Sequence, residues 1–246
     1  MSTITNAPKR LARIAGVFYL AVAIFGGFAE GFVDPKMYVA GDAAATAGNV
    51  VANAGLVRLG VVAHLVDGVF FVLTAVALYL LLNQVHKNVA RVMVLFVALA
   101  VGIKCLNAVF QFEGLQVATD SSYAAAFGTA GSNLLVLLLL DIQHYGTLAA
   151  QVFFGLWLAP LGYLAYKSGL FPKALGVILV VATVSYLLIV VLAFLLPDVG
   201  KQIHVFLIIA PVISEIWMVF YLLVVGVRSP RATARPPAAD VAPIPA

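Results

Sequence analysis

Residues 141–176, DIQHYGTLAAQVFFGLWLAPLGYLAYKSGLFPKALG, decide how this chain is read. The stretch opens on a polar cluster and crosses about 20 apolar residues, the length that spans a bilayer. It then turns through a short segment between Lys167 and Lys173 and enters a second apolar run. That is the pattern of one membrane-spanning helix, a basic turn, and the next span.

The composition extends this reading to the whole chain. Of its 246 residues, 64% are hydrophobic and only 10% charged, and the mean hydropathy is +1.11. A soluble domain is about 45–50% apolar and about 25% charged. Lipid is therefore the main solvent, and every backbone polar group must be satisfied inside helices or a closed barrel. The long unbroken apolar runs select helices. The net charge of +4 does not point to nucleic acid, because the basic residues sit at the ends of apolar runs and form no patch. A single cysteine, Cys105, excludes a disulfide within the chain. Lys9, Arg10 and Arg13 precede an apolar run longer than the 7–15 or so residues of a signal peptide, which predicts an uncleaved first span.

Six spans are predicted, at 11–32, 56–82, 89–112, 145–166, 174–196 and 205–227. The fold class is all-α: a polytopic membrane bundle of six transmembrane helices occupying residues 11–227. Residues 1–10 form an N-terminal segment, and 228–246, rich in Pro and Ala, form a disordered tail. Ten of the 14 Lys and Arg fall on one side: Lys9, Arg10, Arg13, Lys87, Arg91, Lys167, Lys173, Arg228, Arg231 and Arg235. Lys36 and Lys201 lie in loops on the other side, and Arg58 and Lys104 lie within spans. The positive-inside rule then places both termini in the cytoplasm, in a multi-pass protein of the plasma or inner membrane. Two outer loops are long. Residues 41–53 start with Asp42 as a helix cap and are expected to form a short helix, lying on the membrane or over the bundle. The apolar run 134–140 is too short to span; it either lies at the interface or extends the fourth helix outward.

Ionisable groups inside spans are costly and face the interior, so each is a functional candidate. The second span carries His64 and Asp67, three apart on one face. The third carries Lys104, Asn107 and Gln111 as one polar stripe. Asp141, His144 and Gln151 share a face of the fourth, with His144 and Tyr145 expected at the outer interface facing the bundle mouth. His204 and Glu215 are three turns apart on the sixth. With a rise of about 1.5 Å per residue, Asp67 and Glu215 each sit about 16 Å from the outer end of their spans, and Lys104 about 12 Å. Leaving any of these charges in hydrocarbon would cost about 3 kcal/mol or more. Asp67, Lys104 and Glu215 are therefore expected in one pocket near mid-depth, with His64 and Gln151 at its edge. Lys104 should pair with one carboxylate, and the other should be protonated or bonded to His64 or Gln151.

Pro160 and Pro211 free the carbonyls of Leu156 and Leu207 and predict kinks in the fourth and sixth spans. Glu30 and Arg58 are expected to form a structural ion pair near the outer ends of adjacent spans. Gly16, Gly27 and Gly31 are expected to allow close helix contact.

The segments RIAGVFYL from Arg13, GDAAATAGNV from Gly41, RLGVVAHLVD from Arg58, VFFGLWLAPLGYLAYKSGLFPKALGV from Val152 and PVISEIW from Pro211 carry a resemblance. Over about residues 13–227 the chain resembles a bacterial membrane family catalogued as domain of unknown function 4386. The family pattern often has a histidine two positions before the Tyr-Gly of the outer segment and another after Phe-Phe-Gly-Leu. Here those positions hold Gln143 and Trp157. The resemblance implies a membrane topology and no activity.

No catalytic, cofactor or nucleic-acid motif assigns a reaction. His64, Asp67 and Glu215, with His204 or His144, are metal-ligand types, but there is no HExxH and no close histidine pair. Two readings of function stand beside a purely structural or interaction role. One is a polar intramembrane pocket that binds or passes a proton, an ion or a small molecule, lined by His64, Asp67, Lys104, Asn107, Gln111, His144, Gln151 and Glu215. The other is a membrane-embedded enzyme, metal-dependent or not, acting on a lipid-like substrate. The sequence specifies no cofactor, no oligomeric state and no partner beyond the bilayer itself.

Overall fold

In α4 (Ala54–Leu82) the buried residues Val57, Gly60, His64, Asp67, Phe71, Ala75, Leu78 and Leu82 recur every three or four positions. Leu59, Val62, Val69 and Leu80 on the other faces are exposed. A helix apolar on all sides, with its small and polar residues turned inward, is one whose outer solvent is lipid. The other long helices repeat the pattern.

The computed structural model describes residues 6–228, so residues 1–5 of the predicted N-terminal segment and 229–246 of the predicted tail lie outside it. No strand occurs among the described residues. The chain runs through α1 (Asn6–Phe28), a π-turn (Ala29–Val33), α2 (Asp34–Met37), α3 (Ala43–Ala52), α4, α5 (Lys87–Thr119), α6 (Ser121–Leu156), α7 (Leu158–Ser168), α8 (Lys173–Leu195), α9 (Pro197–Leu207), α10 (Ile209–Phe220) and a second π-turn (Tyr221–Val225). These join into six rods long and apolar enough to cross a membrane: Ala7–Met37, Ala54–Leu82, Lys87–Thr119, Ser121–Ser168, Lys173–Leu195 and Pro197–Val225.

Four rods differ from the sequence reading, the sixth because it starts at Pro197 and not at residue 205. The first does not end at residue 32; the π-turn carries it on to Met37, bringing Asp34 into the bundle. The third continues beyond residue 112 to Thr119. The fourth begins at Ser121, so the run 134–140 extends that helix outward, packed along α5. Gly128, with φ of 71°, breaks the extension where only glycine adopts that backbone cheaply.

The interruptions at Trp157 and Ile208 each fall three residues before a proline, Pro160 and Pro211, as a missing N–H requires. Asp42 caps α3 by accepting from the Ala45 N–H at 2.9 Å, and α3 packs over α5 and α6 at the end of the bundle.

Neighbouring helices pack in order, α1 on α4, α4 on α5, α5 on α6, α7 on α8 and α8 on α10, and the final π-turn closes back onto α1. A Cβ at Gly162 would stand 2.7 Å from the Gly176 carbonyl oxygen, and one at Gly176 would stand 2.7 Å from that of Gly162. These two glycines let α7 and α8 touch backbone to backbone.

Two apolar cores result. The larger includes Tyr19, Phe71, Trp157, Leu161, Leu179 and Met218. The smaller includes Val33, Met37, Val57, Leu115 and Leu140. Along the first rod, α4 and α5 the polar positions fall between the two.

Candidate functional site

The polar layer follows from that register. On α4, His64 and Asp67 separate Val57 of the small core from Phe71 of the large one; on α5, Lys104, Asn107 and Gln111 separate Leu115 from Ala100. All five polar residues are buried. Asp67 and Lys104 line an inner cavity, and His64 and Gln111 reach Asp34 on the wall of an outer one.

The inner cavity, of about 320 Å³, is walled by Tyr19, Glu30, Asp67, Lys104, Gln151, Tyr186 and Glu215 among apolar residues. Lys104, only 6% exposed, donates to Asp67 Oδ2 and pairs with Glu30 Oε1 at 2.7 Å. Its ammonium also lies 5.9 Å from the centre of the Phe154 ring. Glu215 is held differently: Tyr19 donates to its Oε2 at 3.0 Å and Tyr186 to its Oε1 at 2.8 Å. Tyr19 in turn rests edge-on against Trp157 at 5.5 Å, and Trp157 against Phe71 at 5.1 Å. The hydroxyl that orients Glu215 is thus fixed by the large core.

The outer cavity, of about 300 Å³, is bounded by Glu30, Asp34, Tyr38, Gln143, His144 and Gln151. Asp34 is its hub. Gln111 donates to Oδ1 at 2.7 Å, Gln143 donates to Oδ2 at 2.9 Å, and His64 Nε2 lies 3.2 Å from Oδ2. Tyr38 donates to Asp141 Oδ1 at 2.5 Å and stacks on His144 at 4.9 Å. Burial, then the bond to Asp141, pushes the Tyr38 hydroxyl well above the ordinary tyrosine value. Glu30, Thr147 and Gln151 belong to both cavities and form the wall between them.

Asp67, Lys104 and Glu215, expected in one pocket with Gln151 at its edge, all line the inner cavity together with Gln151. Several contacts differ from the sequence expectation. His64 turns to Asp34 and not to the inner cavity. Glu215 is satisfied by two tyrosines and not by His64 or Gln151. Glu30 pairs with Lys104 and not with Arg58; Arg58 is exposed and lies 5.7 Å over the Phe112 ring.

His204 is exposed on α9 and does not join Glu215, since the break at Ile208 ends the shared helical register. Asn107 donates to Thr147 at 3.4 Å, and Gln111 serves the outer cavity. Of the three glycines, Gly16 meets Leu222 closely, a Cβ there lying 2.9 Å from Leu222 Cβ, whereas Gly27 and Gly31 have no neighbour within 4 Å of that position. Tyr19, Asp34 and Tyr186 had no signal in the sequence beyond being polar tips near apolar runs. Among the described residues no group of three or more His, Cys, Asp or Glu is arranged to hold a metal ion.

Comparison with known proteins places this geometry in context. A family described as "Domain of unknown function (DUF4386)" matches residues 14–226. A relative from Archaeoglobus fulgidus, described as "Uncharacterized protein", is 28% identical over 180 residues, covering 70% of this chain and 91% of that one. No solved structure matches.

Proposed function

The chain belongs to the family described as a domain of unknown function (DUF4386), and on that premise, which supplies no activity, we propose that its inner cavity is a cation site, at which an inorganic cation or a cationic small molecule displaces a proton. The protein is then a multi-pass protein of the plasma or inner membrane, with both termini in the cytoplasm. One observation carries the reading. Glu215 is held against the cavity by two neutral hydroxyls and, among the described residues, makes no ion pair.

Hydroxyl donors orient a carboxylate without neutralising it, and a bare charge in an apolar wall costs several kcal/mol, roughly 3 or more. A proton or a bound cation removes that cost. The wall's charges lean the same way, with Glu30, Asp67 and Glu215 set against Lys104. The outer cavity, with Asp34 at its hub, gives small cations a polar approach. On the other side the large core, with Trp157 and Phe71 fully buried, closes the way through. That favours binding over free conduction.

Dicyclohexylcarbodiimide, which attacks protonated carboxyls in apolar surroundings, tests the site. Mass spectrometry of protein in nanodiscs should find the adduct on Glu215, and at least one of Na⁺, K⁺, propylammonium or dodecylammonium should protect it. An unmodified Glu215, or an adduct that none of these cations suppresses, would sink the reading.

A further inference from the structure

The inner cavity is open at the side of the bundle. Leu20, Ala23 and Gly27 of the first rod and Ile216 and Phe220 of the last all line it, and all five are exposed. The two rods meet where Gly16 touches Leu222. Further along, Gly27 and Gly31 seat no neighbour at all, so they leave an aperture and not a helix contact. On a chain whose outer faces are apolar, such an aperture faces acyl chains and not water.

The chemistry behind the aperture is one of acceptors. Asp67, fully buried, lines the cavity, and its Oδ1 has no hydrogen-bond partner among the described residues; the same is true of Gln151 Oε1. Glu215 adds two carboxylate oxygens whose bonds to the tyrosines leave lone pairs to spare. Unsatisfied buried acceptors are costly, and the group that best complements three of them is an ammonium, with three N–H donors. Apart from Glu30, Lys104 and the hydroxyls of Tyr19, Thr147 and Tyr186, the rest of the wall, including Val22, Phe154 and Val219, is hydrocarbon. At about 320 Å³ the cavity stands at the small end of ligand pockets, which run from about 300 to 1,000 Å³. It suits one headgroup and part of one chain.

We propose that the pocket takes a membrane-partitioned alkyl amine, a single ammonium on a hydrocarbon chain, which enters sideways from the bilayer between α1 and α10. The proposal rests on the cation-site reading given above and adds the ligand class and its route. The ammonium sits among Asp67, Gln151 and Glu215, and the chain leaves past Gly27 into lipid.

Trp157 gives a local probe, since it packs against Tyr19 beside the cavity. In a Trp217→Phe background, protein in nanodiscs is titrated with a long-chain alkylamine, with the matching alcohol as control. Competition by propylammonium and dodecylammonium is read in the same assay. The amine should bind and change Trp157 emission, the alcohol should not, and dodecylammonium should compete about tenfold better than propylammonium. Gly27→Leu, with Gly31→Leu as a second block, should weaken the long amine about tenfold while the thermal midpoint stays unchanged. Glu215→Gln should weaken it as well.

Equal competition by the short amine, with no effect of either glycine variant, leaves the cation site standing and overturns the lateral route. An alcohol that acts as well as the amine overturns the choice of ligand. No binding by any amine, together with no cation protection of Glu215, overturns the cation site itself.

Discussion

A lysine that is 6% exposed inside an apolar bundle is tolerated only if carboxylates face it, and Lys104 has two, Asp67 and Glu30. The pairs are unequal: Asp67 is fully buried, whereas the Glu30 side chain is 35% exposed. Lys104→Met therefore strands Asp67 and should cost about 3–5 kcal/mol, the range for breaking a buried pair. Lys104→Met with Asp67→Asn should restore much of that loss. Heat-inactivation midpoints in one detergent measure both, and a double variant no better than the lysine variant alone would reject the pairing. Tyr38 makes a smaller, pH-dependent contribution outside the spans. Its raised value means that the unfolded chain gives up the proton near pH 10 or so while the folded chain keeps it. The stabilisation is therefore present below that pH and fades above it. The stability gap between wild type and Tyr38→Phe should narrow from neutral to strongly alkaline solution; a constant gap would contradict the bond to Asp141. The sequence exposed Asp67, Lys104 and Glu215 because charges interrupting apolar runs are conspicuous. Tyr19 and Tyr186 were hidden because a tyrosine within a lipid-facing helix is ordinary, and only the fold aims both at Glu215.

Glycine shows at the level of helices how one residue type plays opposite parts. Gly162 and Gly176 bring α7 and α8 into backbone contact, whereas nothing stands near Gly27 on α1. Gly162→Leu should lower the thermal midpoint, by the equivalent of about 1–3 kcal/mol or more as expected for overpacking. Gly27→Leu should leave it unchanged. Equal losses for both would mean that a neighbour covers Gly27. The sequence suggested close helix contact for Gly16, Gly27 and Gly31 alike, because it cannot tell a glycine under a neighbouring helix from one beside a cavity. The helix breaks were legible, since proline removes a donor wherever it stands; Trp157 and Ile208 mark the consequence. The helix ends were less so. Residues 33–37 are too polar to read as a span, yet the π-turn and Pro35 at the start of α2 keep them helical. That extension brought Asp34 into the site, where the sequence had put a loop, while Glu30 turns to Lys104 and not to Arg58, the partner the sequence suggested.

Six rods return the chain to the side on which it began, so both ends share one face whatever the orientation. Which face that is depends on charge. The loops at the end of the bundle near the termini carry Lys87, Arg91, Lys167 and Lys173, while the opposite end carries Asp42, Asp120, Asp141 and Asp198. With the basic end proposed to be cytoplasmic on the positive-inside rule, both cavities would lie in the outer half, with Asp34 and His144 nearest the outside and the large core beneath them. Amines drawn to the outer leaflet would find the aperture at their own depth. Orientation can be tested with single cysteines, because the chain has only Cys105 to remove first. In a Cys105→Ala background, Ser121→Cys opens α6 at one end and Asn88→Cys lies in the first turn of α5 at the other; both positions are exposed. A membrane-impermeant maleimide applied to intact cells should label Ser121→Cys at once and Asn88→Cys only after the membrane is broken. The reverse pattern would turn the bundle over, placing Asp34 and its cavity toward the cytoplasm, and any cation drawn to Glu215 would then approach from inside the cell.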